Sequence, residues 1–149
     1  MPAGVNVSRD LLWLLTSNNN SNMFKRKGIM KRFSSDPLNP KGIQSLKNCG
    51  LVQKEAISVE PLPSGKGISL VYRKKRNLTK PVKSIARVKL AKNPRRSLLS
   101  IRRFVNHNGY RRDLKMALLR RASALLRGQR QRSGKRGTGK SGTRGKKAD

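Results

Sequence analysis

Apolar residues recur at two different spacings along this chain, and the change of spacing divides it. Within residues 56–73, Ile57 and Val59 alternate with polar residues, and Ile68, Leu70 and Tyr72 alternate again. Alternation at period two is the pattern of a strand with one buried face. Pro61, Pro63, Gly65 and Gly67 lie between the two runs, so the segment reads as a hairpin with a long turn. Ala86, Val88 and Leu90 then share one face of a further strand while Arg87 and Lys89 share the other, which predicts a sheet with a basic face. Beyond Pro94 the spacing changes to three and four: Leu98, Ile101 and Val105 predict a helix closed by the Asn108-Gly109 break. A second helix is predicted from residue 111 or 112 to Arg127, with Leu114, Leu118, Ala122 and Leu125 as its apolar stripe and Gly128 as its end. Arg112, Arg120, Ser123 and Arg127 lie opposite that stripe. Lys115 and Arg121 fall at its borders, where long basic stems can cover apolar surface.

The first third of the chain is less regular. Ser8 is placed as an N-cap ahead of Asp10 and the run Leu11, Leu12, Trp13, Leu14, Leu15, which predicts a short helix buried on most sides. Trp13, surrounded by leucines, reads as a core residue rather than a platform for a base. Residues 17–22 stop that helix. Residues 23–26 and 30–33 flank Lys27-Gly28-Ile29 and read as two short strands around a tight turn, ended by Pro37 and Pro40. No internal repeat is evident. The architecture expected is α+β: a short N-terminal helix, a small antiparallel sheet with a hairpin, two C-terminal helices and a disordered basic tail. The corresponding division is an extension at 1–7, one small domain at 8–127 and a tail at 128–149.

Charge changes the picture from fold to partner. The chain holds 37 Lys and Arg against 6 Asp and Glu, a formal net charge of +31. A compact domain with that self-repulsion needs an anionic partner, and nucleic acid supplies one, because each cation that meets a phosphate releases condensed counterions. The charge is polarised: residues 1–24 contain only Arg9 and Asp10, whereas residues 128–149 contain eight basic residues and six glycines with Ala148 as their one apolar residue. Such a segment cannot offset the entropy of ordering and should be disordered when free. Downstream of a basic body it reads as an arm that threads nucleic acid, with a solubilising or localising tail as the plainer alternative. Hydrophobic content of 34% implies a modest core, and aromatic content of 4% leaves few stacking platforms, so contact should run mainly through phosphates and sugars.

Several function classes lose their raw material. Cys49 is the one cysteine, which excludes an internal disulfide and fits a reducing compartment, and Cys49 with His107 cannot complete a four-coordinate zinc site. No metal or other cofactor is expected. The longest apolar run, residues 11–15, is far short of the ~20 residues a membrane span needs and too short for a signal-peptide core; a soluble intracellular protein with no membrane partner is expected. Two-metal phosphoryl chemistry needs clustered carboxylates, yet Asp10, Asp36, Glu55, Glu60, Asp113 and Asp149 stand singly among cations. Asp113 reads as a first-turn helix residue pairing with a nearby arginine. Nothing local activates the Cys49 thiol toward His107. Gly65-Lys66-Gly67 lacks the spacer and the following Ser or Thr of a phosphate loop and is a hairpin turn. No enzyme is predicted.

The residues also form an ordered series of landmarks. Lys92-Asn93-Pro94-Arg95, Leu98, Ser100-Ile101-Arg102, Tyr110-Arg111, Asp113-Leu114-Lys115-Met116-Ala117, Arg120-Arg121-Ala122-Ser123-Ala124 and Leu126-Arg127 fall in one register. With Leu12-Trp13, Phe24-Lys25, Phe33-Ser34, Asp36-Pro37, Gly50-Leu51, Val59-Glu60-Pro61 and Gly65-Lys66-Gly67, they closely resemble the eukaryotic large-subunit ribosomal protein twenty-eight family over residues 11–130. Residues 1–7, Arg112 where the family commonly has proline, and the Gly-rich tail depart from it. The resemblance implies a structural constituent of the cytoplasmic large ribosomal subunit, bound to ribosomal RNA beside neighbouring ribosomal proteins and loaded during assembly in the nucleolus. No small-molecule substrate and no homo-oligomer are expected.

Folded RNA is held through shape, phosphates and 2′-hydroxyls, since its deep groove hides the base edges. Arginine suits that task best, because its planar fork bridges two phosphate oxygens. The candidate RNA-binding residues are therefore Arg26, Arg32, Arg73, Arg76, Arg95, Arg96, Arg102, Arg103, Arg111, Arg112, Arg120 and Arg127. Lys74, Lys75 and Lys80 of the positive loop join them, as do Arg130 and Arg132 at the start of the tail. Three alternatives fit the sequence less well. A nucleolar large-subunit assembly factor sharing the domain would be expected to continue into a long acidic region, whereas this chain ends in a basic tail. A linker-histone-like DNA compactor fits the tail but not the hairpin. A membrane-active cationic helix over residues 111–127 fits poorly beside a folded sheet.

Overall fold

A computed structural model describes residues 7–78 and 80–135. Its elements run in the order α1 (Arg9–Thr16), β1 (Met23–Phe24), β2 (Phe33–Ser34), β3 (Ile57–Pro61), β4 (Ile68–Arg73), α2 (Pro81–Ser84), β5 (Ile85–Leu90), α3 (Pro94–His107) and α4 (Lys115–Lys135). Short 3-10 turns at Lys75–Asn77 and Arg112–Leu114 precede α2 and α4. The class is α+β, with a two-stranded sheet β1-β2 and a three-stranded antiparallel sheet β3-β4-β5.

The register of the larger sheet explains its core. Ile57 pairs with Tyr72, Val59 with Leu70, and Pro61 with Ile68, while Leu70 pairs onward with Val88 and Tyr72 with Ala86. All of these side chains stand on one face, because successive residues alternate across a pleated strand. That face is covered by α3 and α4: Ile57, Val59, Ile68 and Leu70 pack with Ile101 and Val105 of α3, with Tyr110 and Leu114, and with Leu118 and Ala122 of α4. The hairpin, the strand at 85–90 and both helical stripes therefore lie where the periodicity places them. Behind the sheet Val71 packs with Leu38, Ala56 and Ile85, so the segment between β2 and β3 closes the second face.

That closure corrects the expectation of a basic sheet face. Ser58, Ser69 and Val71 are buried on the reverse side, and only Arg87 and Lys89 of the edge strand β5 bring exposed cations there. Cations on an edge strand discourage pairing with a second sheet. The loop that closes this face is organised by short polar side chains. Fully buried Asn39 accepts from the N–H groups of Lys41 and Gly42 at 3.1 and 2.9 Å and donates to the Ile43 carbonyl at 2.9 Å. The Asp36 carboxylate accepts from Leu38 N at 3.0 Å and from Gly50 N at 2.7 Å. A Cβ at position 50 would stand 2.6 Å from Leu38 Cβ, so only glycine lets the two segments approach.

Three further expectations change. Ser8 does cap α1, accepting from Leu11 N at 3.2 Å, but no residue of the helix is buried, and Leu14 and Leu15 are 72% and 63% exposed. Both faces of the sheet are already covered, which leaves α1 no apolar surface to complete, and Trp13 is half-buried rather than core. The strands predicted at 23–26 and 30–33 shrink to two pairs, Met23 with Ser34 and Phe24 with Phe33. One more step of that register would set Lys25 against Arg32, and the next Arg26 against Lys31; like charges directly opposite are destabilising. Finally, α4 does not end at Gly128 but continues to Lys135, and it starts after the 3-10 turn because Arg111 has φ +45°, outside the helical region. The expected tail thus begins helical, while residues 136–149 of it and 1–6 of the N-terminal extension lie outside the described residues.

Candidate nucleic-acid interface

The helix α3 is amphipathic in an unusual way. Ser97, Ile101 and Val105 are buried, and on the outer side Arg95, Arg96, Arg102 and Arg103 are exposed around Leu99. Residues three and four apart are neighbours on a helix surface, so Leu99 joins the pair Arg95 and Arg96 to the pair Arg102 and Arg103, and the two pairs lie two turns apart on one side of the helix. None of the four guanidinium groups meets an acceptor within the described residues. Arg95 and Arg96 also sit in the first turn, where no acidic residue stands and Asn93 makes no side-chain cap. Cations there oppose the helix dipole. Arg95 and Arg96 therefore weaken their own helix, and an external anion would relieve it.

Further cations extend this surface. Lys74 precedes the 3-10 turn after β4, Arg76 lies within it, and Lys80 precedes α2, all exposed with side chains unpaired among the described residues. Arg120 and Arg127 are exposed on the outer side of α4, and Arg130 is exposed one turn further. Arg112 reaches only the Asn106 carbonyl, at 3.4 Å. Arg26 lies 5.7 Å above the Phe24 ring, which itself stacks on Phe33, and exposed Arg32 donates to the Asn18 side chain. Arg132 belongs to the last turns of α4, outside the residues whose side chains are described.

The four ion pairs of the described residues neutralise few of these charges. They are Lys75 with Glu55 at 2.7 Å, Arg111 with Asp113 at 3.0 Å, Arg87 with Glu60 at 3.7 Å and Lys47 with Asp113 at 3.9 Å. Most cations of the described residues therefore have no acidic partner among those residues.

Two of the predicted RNA contacts are instead drawn into the protein. Arg111 has a side chain only 12% exposed, and its guanidinium donates to the Glu55 carbonyl at 2.8 Å, the Lys47 carbonyl at 2.6 Å and both oxygens of Asp113 at 3.0 Å. Burial alone would raise the Asp113 carboxyl, but the hydrogen bonds and charge of Arg111, with Lys47, outweigh it and hold it below its ordinary 3.8. Arg73 is half-buried and donates to the Gln53 carbonyl at 3.0 Å. Arg121, not predicted as a contact, does the same between β3 and the loop, donating to Val59 O at 2.7 Å and Asn39 O at 3.4 Å. Its place at the border of the α4 stripe was the one signal for this.

A cleft of about 850 Å³ opens between the end of β4, the following 3-10 turn and the C-terminal part of α3. Tyr72, Phe104 and Tyr110 line it in mutual contact, with ring centroids 4.8 to 6.2 Å apart. Arg73, Lys74, Lys75 and Arg76 surround it. The Tyr110 hydroxyl donates to the Arg73 carbonyl at 2.7 Å with the Ala56 carbonyl at 3.2 Å, and burial pushes its pKa from 10.0 up to about 12. These rings lie far apart in sequence and carried no joint signal.

Among the described residues no group of three or more His, Cys, Asp or Glu could hold a metal ion, and no helix is long and apolar enough to cross a membrane. Cys49 is buried and unpaired.

A small α+β fold in which most described cations face outward and only four ion pairs form among the described residues defines a strongly basic protein. The match to known proteins is equally direct. The model of the ribosomal L28e protein family matches residues 11–128, and the chain belongs to that family. It is 34% identical over 123 residues to the large ribosomal subunit protein eL28 of Caenorhabditis elegans, covering 83% of this chain and 91% of that protein. It is 32% identical over 131 residues to the large ribosomal subunit protein eL28 of Schizosaccharomyces pombe, covering 85% and 96%.

Proposed function

We propose that this protein is a structural, non-catalytic constituent of the cytoplasmic large ribosomal subunit that holds folded ribosomal RNA through phosphates and sugars. The observation that carries the reading is the outer face of α3, where Arg95, Arg96, Arg102 and Arg103 stand exposed and unpaired opposite a sealed core. Folding gains nothing from that arrangement, and an A-form backbone supplies what it lacks. Lys74, Arg76, Lys80, Arg120 and Arg127 extend the same contact. Arg111 works on the protein side, fixing the turn before α4. The names of the relatives, both large-subunit proteins, support the setting.

The nearly uncharged N-terminal region fits a different neighbour. Exposed Leu11, Leu14 and Leu15 on α1 suit an adjacent ribosomal protein better than RNA. Loading takes place with the assembling particle in the nucleolus.

Sucrose-gradient fractionation of cell extract, repeated after a high-salt wash, tests the reading. Stoichiometric, wash-resistant sedimentation with mature large subunits and polysomes is expected. Confinement to nuclear precursor particles would make the protein an assembly factor instead.

A further inference from the structure

We infer that the cleft between β4 and α3 receives one unpaired nucleotide of the bound RNA, its base stacked on the Tyr72–Phe104 surface and its phosphate held by Lys74 and Arg76; this rests on the RNA-binding reading above.

Aromatic residues are scarce here, six in 149, and three of them meet in this one place. A structural cluster would normally be sealed. Tyr110 is sealed, at 5% exposure, but Tyr72 and Phe104 are only half-buried and present ring surface to the opening. The cleft, about 850 Å³, is open to solvent rather than enclosed, which leaves the ring faces within reach of a base from outside.

The chemistry around the rings is divided as a nucleotide is divided. Lys74 and Arg76 sit at the rim with unpaired side chains, suited to a phosphate. Asn77 and Asn108 also line the cleft, and their amides, which each donate and accept, find no partner among the described residues. Paired with aromatic faces, such amides suit the edge of a base that has left its helix, the form in which RNA offers sequence to proteins. An apolar peptide would leave those cations and amides unanswered. A free nucleotide would satisfy the cleft alone, but the cations of α3 and α4 continue beyond it, which favours a nucleotide within a strand.

The test uses the full-length chain and two RNA hairpins, identical except that one carries a single bulged 2-aminopurine. The bulged hairpin is expected to bind about tenfold more tightly, the range in which one stacked base contributes, and its fluorescence should be quenched on binding. Phe104→Leu should abolish both the preference and the quenching, and Phe104→Tyr should keep them. Because Phe104→Leu can loosen the core, Arg76→Ala at the exposed rim serves as the second variant, and it should weaken the bulged hairpin more than the paired one. Equal affinity for the two hairpins without quenching would overturn the inference while leaving RNA binding intact. Salt-insensitive or absent binding of both would overturn the inference and the RNA reading together.

Discussion

The side-chain amide of Gln129 closes on both backbone groups of Gly67, its Oε1 accepting from the Gly67 N–H at 2.9 Å and its Nε2 donating to the Gly67 carbonyl at 2.8 Å. This pair joins the hairpin turn to α4 across 62 positions of sequence. It accounts for the helix passing Gly128, since a helix end with a tertiary anchor withstands a poor helix former. Gly67 itself has φ +90°, and a Cβ there would stand 2.9 Å from Leu90 O and Ala91 Cα.

Gln129→Ala should therefore cost about 1–2 kcal/mol, the worth of two hydrogen bonds, and should fray α4 beyond residue 127. Hydrogen exchange should show the loss confined to the last turns. Gly67→Ala should cost more, because the conformation is strained for alanine and the neighbours are backbone. An unchanged exchange pattern in Gln129→Ala would mean that the last turns do not depend on the hairpin.

Arg111 and Arg103 separate two uses of the same side chain. Arg111→Ala removes a buried fork with four donor contacts and should lower stability by about 2 kcal/mol or more. Lysine should not rescue it, because a single ammonium cannot reach two carbonyls and a carboxylate together. Arg103→Ala should leave the melting temperature unchanged and weaken RNA binding. Asp113 adds a pH signature: its carboxyl is held below the ordinary value, so its contribution is complete above about pH 4 and is lost as pH falls through the depressed folded value. In Arg111→Ala the Asp113 titration followed by NMR should move upward. The reverse pattern, Arg103 costing stability and Arg111 costing only binding, would invert the assignment.

How much of this was legible in the sequence depended on whether a residue's partner was local. Ile57, Val59, Ile68 and Leu70 announced their strands because neighbouring residues set the alternation, and Ile101, Val105 and Leu118 announced helices in the same way. The leucines of α1 looked like core because a run of apolar residues does not say whether a surface remains for it to cover. The strands around Gly28 were overextended because the clash of Lys25 with Arg32 and of Arg26 with Lys31 appears only once a register is chosen. Arg111 read as a phosphate clamp because a guanidinium suits a carbonyl as well as a phosphate. The cleft of Tyr72, Phe104 and Tyr110 needs three elements brought together, which no window of sequence contains.

Tyr110 gives the fold an alkaline limit. Its phenol is kept neutral by burial, with a folded value of about 12 against 10.0, so the associated stability is complete below pH 10 and disappears as pH rises toward 12. The loss should be on the order of 2 kcal/mol. Tyr110→Phe should begin less stable, because the Arg73 and Ala56 carbonyls lose their donor, but it should lack this step. Denaturant melts at pH 9 to 12 would show the difference. Parallel pH dependence in the two proteins would place the alkaline transition elsewhere, in the lysines.

Leu118 and Arg120 stand two positions apart on α4, one fully buried against the sheet and the other exposed and unpaired. Leu118→Asp buries a carboxylate without a partner among Ile57, Val59 and Ile101, which should unfold the C-terminal half and exclude the protein from large subunits. Leu118→Ala should cost about 2–5 kcal/mol and reduce incorporation without abolishing it. Arg120→Ala touches no core contact. It should melt like the parent, bind RNA more weakly, and lower the slope of log affinity against log salt by about one. Measured side by side, melting and salt dependence assign each residue to the core or the RNA face. If Arg120→Ala lowered the melting temperature as far as Leu118→Ala does, the outer face of α4 would be part of the core's support, and the RNA contact would rest on α3 and the positive loop after β4.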